Sequence, residues 1–300
     1  MSMHARWLAT ALLIGGAATV GAQEFPLAPL IARLPGSTRA LAMANADAGG
    51  RESDVIFYNP AQLAVARGTG ASAEFYTGAN LLVTLSTVLD IGPGAVGVGV
   101  QSLTFSNPGF AYAIPDALGT SGGFPSSGLI FALGYAQPLF GMRAGVNAKL
   151  LEQSIGSTRD SRGSLDFGLA RDLLRGTLGL SVQNFGPAFR SYYGPVSQPT
   201  RTSLGFTTGR YLVGPFDVAA AATTSLLRGR DLVAGGGGEV SYSWLDGYAV
   251  AARAGVRRAA EGEGPWTVGF GITADRLSLD YAFESRYHRH GAHRIGVRIR

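Results

Sequence analysis

Residues 129–150 read LIFALGYAQPLFGMRAGVNAKL. Leu129, Phe131, Leu133 and Tyr135 alternate with Ile130, Ala132, Gly134 and Ala136. After a short connection at 138–141, Ala144, Val146, Ala148 and Leu150 alternate with Arg143, Gly145, Asn147 and Lys149. Successive strand side chains point to opposite faces, so the stretch reads as two antiparallel strands joined by a tight turn. A soluble sandwich would hide its large apolar face and offer water a face rich in Lys and Glu. Here the second face is small, Gly-rich and only singly charged. That suits the crowded interior of a barrel whose apolar face meets lipid.

The same alternation runs on both sides of this pair. Upstream, less regular segments at about 69–77 and 80–89 precede one at 95–104, where Val96, Val98 and Val100 oppose Gly97, Gly99 and Gln101. Downstream segments centre on Phe167, Leu180, Leu204, Val218, Tyr242, Val250, Phe270, Tyr281 and Val297. The total is fourteen. Long connections are expected at 105–126, 154–163, 185–199 and 284–292, and short ones at 90–94, 138–141, 172–176 and 244–247. Short turns on one side and longer loops on the other are the outer-membrane arrangement, and an even count leaves both barrel ends on the short-turn, periplasmic side. The expected fold is all-β: a transmembrane antiparallel up-and-down barrel of about 14 strands.

Composition agrees. Charged residues make up 15% of the 300, against about a quarter in ordinary proteins, and Gly occurs 44 times. No stretch beyond the leader has the roughly 18 apolar residues of a membrane helix. The formal charge of +5 comes from dispersed arginines, with Lys149 the one lysine. An electrostatic footprint for nucleic acid needs a patch, so no nucleic-acid partner is expected. With no cysteine there is neither a disulfide framework nor a thiolate metal site. No metal and no cofactor are expected.

Arg6, the apolar run from Trp7 to Val20 and the small-x-small site Val20-Gly21-Ala22 have the tripartite form of a secretory signal. Residues 1–22 are therefore read as a signal peptide, 23–66 as an N-terminal plug and 67–300 as the barrel. The plug lacks sustained alternation. Ser37 or Thr38 suits a helix N-cap, Gly49-Gly50 breaks that piece, and Asn59-Pro60-Ala61 closes the segment. A lumen lined with Gly, Ala and scattered charges needs filling, and this is the spare segment long enough to fill it.

The run STRALAMANADAGGRESDVIFYNPAQLA (37–64) resembles the N-terminal hatch of the FadL-type outer-membrane barrels, which carries an Asn-Pro-Ala triplet. It is closer still to the PorV/PorQ branch. Residues 166–187, 237–257 and 267–284 extend the resemblance over essentially the whole mature chain. It implies a fourteen-stranded barrel plugged by its own N-terminus. FadL members carry fatty acids and other hydrophobic compounds, and PorV members serve protein secretion. The chain departs from both in its shorter loops and in ending on Arg300 rather than an aromatic residue.

Two non-enzymatic functions therefore stand side by side. One is an outer-membrane barrel that binds or passes hydrophobic or amphipathic small molecules. The other is a PorV-like scaffold for protein secretion or envelope assembly. Expected partners are outer-membrane lipid and lipopolysaccharide, with a hydrophobic small molecule or secretion-system proteins according to the reading. Candidate site residues are Asn59, Pro60 and Ala61, as gate or fixed latch, and Gly97 and Gly99, as a strand kink or as room for the plug. The lumen charges are Arg143, Lys149, Asp166, Arg201, Asp217, Glu239, Arg253, Asp280, Glu284 and Arg298. They either guide a ligand or pair with each other and with Arg39, Arg51, Glu52 and Asp54 of the plug. His288, His290 and His293 form a basic cluster in the last long connection, and no catalytic constellation accompanies them. Tyr242, Trp244, Tyr248 and Trp266 suit interfacial girdles.

Overall fold

A computed structural model describes residues 29–46, 48–76, 80–105, 125–173, 175–191, 194–228, 232–258, 264–286 and 291–300. The strands are β1 (Gly68–Tyr76), β2 (Asn80–Ile91), β3 (Gly94–Phe105), β4 (Ser126–Leu139), β5 (Met142–Ile155), β6 (Thr158–Leu173), β7 (Gly176–Phe185), β8 (Phe189–Ser191) and β9 (Gly194–Val196). They continue with β10 (Arg201–Thr208), β11 (Tyr211–Val213), β12 (Phe216–Leu227), β13 (Leu232–Leu245), β14 (Tyr248–Arg257), β15 (Trp266–Ala274), β16 (Leu277–Glu284) and β17 (Ala292–Ile299). Neighbours pair antiparallel in chain order, and β1 closes on β17 with Thr69 opposite Ile299. On the other side β7, β10 and β12 pair in turn. β11 carries the line of β10 past a break at 209–210, while β8 and β9 form a separate hairpin in a connection. Fourteen staves thus close one barrel.

The alternation read from the sequence sets the two faces. Leu129, Phe131 and Leu133 are exposed on the outer wall while Ile130 and Ala132 are buried inside. A continuous exposed belt of Leu, Val, Phe and Ile is unfavourable in water and favourable in hydrocarbon. Trp244 packs with Tyr248 and Phe216 with Tyr242 near the short-turn end, and Trp266 packs with Phe283 toward the other. These pairs sit near strand ends on the outward face.

One connection differs from expectation. Residues 154–163 are no long loop: β5 runs to Ile155 and β6 starts at Thr158, with Gly156 at φ 56° in a tight turn. Beyond Leu151 the strands become polar on both faces, Glu152 and Gln153 facing Ser161 and Asp160, so the hairpin projects past the apolar belt. Both-face polarity looks like a loop in sequence, but backbone pairing continues wherever water replaces lipid on both sides.

Residues 29–66 form short 3-10 helices at Leu30–Arg33, Ser53–Phe57 and Pro60–Ala64 and one α-helical turn, α1 (Thr38–Ala42), capped by the Ser37 hydroxyl accepting from the Ala40 N–H at 3.1 Å. The segment packs against the inward faces of strands on opposite sides of the barrel. Pro60 and Ala61 abut β5 and β6 at Gly145 and Gly168, while Met43 and Ala44 abut β13 and β14 at Gly237 and Gly255. A Cβ on Gly145 would lie 2.5 Å from the Pro60 carbonyl group, so backbone meets backbone there. This close approach is what much of the glycine serves.

Candidate functional site

The Asn59-Pro60-Ala61 triplet joins the segment to the wall. The Asn59 side-chain oxygen accepts from the Ala61 N–H at 3.0 Å, capping the Pro60–Ala64 helix, and its amide nitrogen donates to the Leu169 carbonyl of β6 at 3.1 Å. Pro60 takes the first helical position, where its missing N–H costs nothing. Nearby wall amides reach the other way. Asn147 donates to the Ile56 carbonyl at 3.1 Å and Gln183 to the Phe57 carbonyl at 2.7 Å. Gly49 N–H donates to Thr207, and Ser53 and Ser86 share a 2.8 Å bond. Irregular backbone inside a barrel has no ladder of its own, and these side chains satisfy it.

Most of the lumen charges fall into four paired groups. The largest is a closed ring of alternating sign. Arg39 meets Glu239 at 3.0 Å, Glu239 meets Arg253 at 2.6 Å, and Arg253 meets Asp280 at 2.6 Å. Asp280 meets Arg298 at 2.6 Å, Arg298 meets Glu52 at 2.9 Å, and Glu52 returns to Arg39 at 3.8 Å. Three guanidiniums and three carboxylates cancel, and two members, Arg39 and Glu52, belong to the N-terminal segment. Burial opposes the charge on Glu52, yet Arg39, Arg298, the Arg51 N–H and Arg300 together hold its carboxyl well below the usual range. Asp54 lies beside the ring with no salt bridge among the described residues, and its Oδ1 is buried without a hydrogen-bond partner there. Burial and the Glu52 charge push its carboxyl up to about 6, against the pull of Arg298, Ser37 and Arg294.

A second group joins Lys149 to Asp166 at 2.6 Å, with Asn184 bonded to both. A third places Glu284 between Arg257 and Arg286 near the longer loops. Arg143 reaches Asp172 with two bonds of 2.7 and 2.8 Å at the short-turn end. Arg201 lines a 30 Å³ cavity with Asn45, Asn59 and Ser203, room for a water or two. Asp217 sits on the inward phase at the short-turn rim and makes no ion pair among the described residues. Pairing within the lumen and to Arg39 and Glu52 thus describes most of the candidates.

The pair Glu74 and Arg294, both fully buried at 3.0 Å, was not singled out from the sequence. Arg294 also donates to the Pro35 carbonyl at 2.7 Å. The partners are 220 residues apart and meet only because β1 closes on β17. Their shared inward phase was the available signal.

Opposite the ring the lumen holds a run of buried apolar side chains. At the longer-loop end Leu30 and Ile31 join Leu103, Phe105, Ile130, Leu151 and Phe189 in one buried cluster. Midway, Ile56 and Phe57 cover Gly99. Lower down Leu63 lies over Gly97 and Gly134, and the cluster ends on Ala66, Val88, Ala95 and Ala136. An apolar seam therefore runs between the N-terminal segment and β2–β5 along the barrel. On this side the expected lining of Gly, Ala and scattered charge is joined by large apolar residues, Leu103, Phe105, Ile130 and Leu151. Gly97 and Gly99 are both buried on this seam, and the β2–β3 and β3–β4 ladders pass through them without a register shift.

His293 points outward, with Nδ1 2.8 Å from the Tyr281 hydroxyl and its ring against Phe283. His288 and His290 lie outside the described residues.

Neither a family model nor a curated protein matches the sequence. Solved structures do. The toluene transporter TodX of Pseudomonas putida superposes with a TM-score of 0.60 at 13% identity, covering 89% of this chain and 97% of that one. The toluene transporter TbuX of Ralstonia pickettii gives 0.58 at 11%, covering 89% and 99%. A Pseudomonas aeruginosa FadL homologue gives 0.58 at 9%, covering 92% and 99%. None of these three is a PorV or PorQ protein. At such identities the likeness is one of architecture, and the chain has the fold of the FadL-type outer-membrane barrels.

Proposed function

We propose that this protein is an outer-membrane barrel through which hydrophobic small molecules pass, with residues 23–66 as its hatch and residues 1–22 as the export signal removed from it. The observation that carries this reading is the apolar seam. Barrel interiors that conduct water are polar, whereas here Leu103, Phe105, Ile130 and Leu151 face inward against Leu30, Ile31, Ile56 and Leu63. A hydrophobic solute entering at the longer-loop mouth meets apolar surface along the hatch, and the ionic ring holds the hatch on the far side. The transport named for the TodX and TbuX structures supports the same reading.

Within it, Asn59, Pro60 and Ala61 latch the hatch to β6. Gly97 and Gly99 are the thin place in the wall, where movement of Leu63 and Phe57 opens a way sideways into the membrane. The longer loops face the cell exterior, where basic residues meet lipopolysaccharide. The test is uptake of a labelled monoaromatic compound and a labelled long-chain amphiphile by cells with and without the protein. Faster uptake of either with the protein supports passage. Equal uptake, with co-purification of a secretion complex, overturns it in favour of a scaffold.

A further inference from the structure

The outer wall is not uniformly packed. Over β1 it carries a groove of 290 Å³ with a floor of Thr69, Ala71 and Thr87 and flanks of Leu85, Val100, Val297 and Ile299. Register explains it: across the wall Val297, Ala71, Leu85 and Val100 stand in one row, so a methyl group lies between branched side chains. The Thr69 and Thr87 hydroxyls are 2.8 Å apart and bond each other, which lowers the cost of leaving them in an apolar trough.

The groove opens toward the short-turn rim, where three arginines gather. Arg67 precedes Thr69 by two residues, Arg300 follows Ile299, and the Arg300 N–H donates to the Arg276 carbonyl at 3.0 Å. All three side chains are exposed. The acids beside them are Asp90, 3.2 Å from Arg67, Glu52, 3.7 Å from Arg300, and Asp275. Guanidinium groups at the end of a hydrocarbon trough match a lipid in which a phosphate follows an acyl chain. Size argues the same way. At about 30 Å³ for each water-sized group, the groove takes roughly ten chain atoms. It covers only about 150 Å² of wall, judged from strand spacing, whereas a stable partner chain buries roughly 800 Å² per side.

We propose that this groove binds one glycerophospholipid of the periplasmic leaflet, an acyl chain lying over Ala71 and the phosphate at Arg276, Arg300 and Arg67. The proposal rests on the short-turn rim lying at a membrane surface and is independent of what passes through the lumen. Native mass spectrometry of the full chain released from micelles containing phosphatidylglycerol tests it, with gel mobility before and after heating as the check of folding. The wild type retains one phospholipid. Ala71→Leu fills the groove with a lipid-compatible side chain and lowers retention by about tenfold while the barrel stays folded. The double substitution Arg276→Gln with Arg300→Gln weakens phosphatidylglycerol but not diacylglycerol of the same chains. Equal retention by Ala71→Leu overturns the proposal, as does a wild-type dimer that Ala71→Leu abolishes, which would make the occupant a second copy.

Discussion

Replacing Glu52 by Gln removes one of the three acids from the ring and leaves three guanidiniums facing two carboxylates. Glu52 takes a 2.9 Å contact from Arg298, longer ones from Arg39 at 3.8 Å and Arg300 at 3.7 Å, and the Arg51 N–H at 3.1 Å. Breaking a buried pair by removing one partner costs about 3–5 kcal/mol. Arg298 keeps Asp280 and Arg39 keeps Glu239, so the loss falls below that range, at about 2–3 kcal/mol. Because Glu52 belongs to the N-terminal segment and its nearest partner, Arg298, to β17, the loss falls on docking of that segment rather than on the strand ladder. Hydrogen exchange by mass spectrometry on reconstituted protein reads it directly. Amides of 48–66 open about 30- to 150-fold more often, and those of β4 and β5 do not change. Pairing Glu52→Gln with Arg298→Gln restores part of the loss, since two guanidiniums then face two carboxylates. Unchanged protection over 48–66, or opening spread evenly over the barrel, would refute the ring as the anchor of the hatch.

Asn59→Ala removes both the helix cap and the bond to Leu169. At about 1 kcal/mol each it loosens the hatch by about 2 kcal/mol, read as faster proteolysis near residue 60 with heat-resistant barrel mobility unchanged. Gly145→Ala places a methyl group against the Pro60 carbonyl, and overpacking of about 1–3 kcal/mol lowers the midpoint of hatch exchange in denaturant. The Ala48 Cβ lies 3.4 Å from the Cβ position of Gly179, and the chain has no cysteine of its own, so Ala48→Cys with Gly179→Cys makes a reducible lock. Uptake that falls on oxidation and returns on reduction marks a moving hatch; uptake indifferent to the lock marks a fixed one. The Asp54 carboxyl is raised to about 6, so between its ordinary 3.8 and that value the native state holds a proton that the unfolded chain has lost. Hatch stability from this group therefore falls as pH rises through that window, and Asp54→Asn removes the dependence. Protection over 48–66, taken relative to the intrinsic exchange rate at each pH, that is flat between pH 4 and 7 in the wild type would contradict this assignment.

The strands were legible because lipid and lumen impose opposite demands on successive residues, and Val96 to Gln101 or Trp266 to Ile272 shows both. The N-terminal segment was legible as an absence of that pattern. Partners across the closure were not: Arg294 and Glu74 become neighbours only when β17 meets β1, and no local rule brings them together. The apolar seam was hidden for a different reason. Ile130 and Leu103 lie on the inward phase between outward apolar or small residues, so polarity does not separate the two faces there, and the packing of Ile31, Ile56, Phe57 and Leu63 against those strands gives the inward face its partner. The hairpin at 154–163 was misjudged because polarity on both faces signals exposure, not the end of pairing.

Purified protein in lipid vesicles gives the most direct test of passage along the seam. Entry of a labelled apolar aromatic compound and of a sugar of similar size is followed into vesicles with and without the barrel. Accelerated entry of the aromatic compound, with the sugar excluded, is the expected result. Entry of the sugar at the same rate, or no acceleration of either, would contradict a hydrophobic path between the hatch and β2–β5.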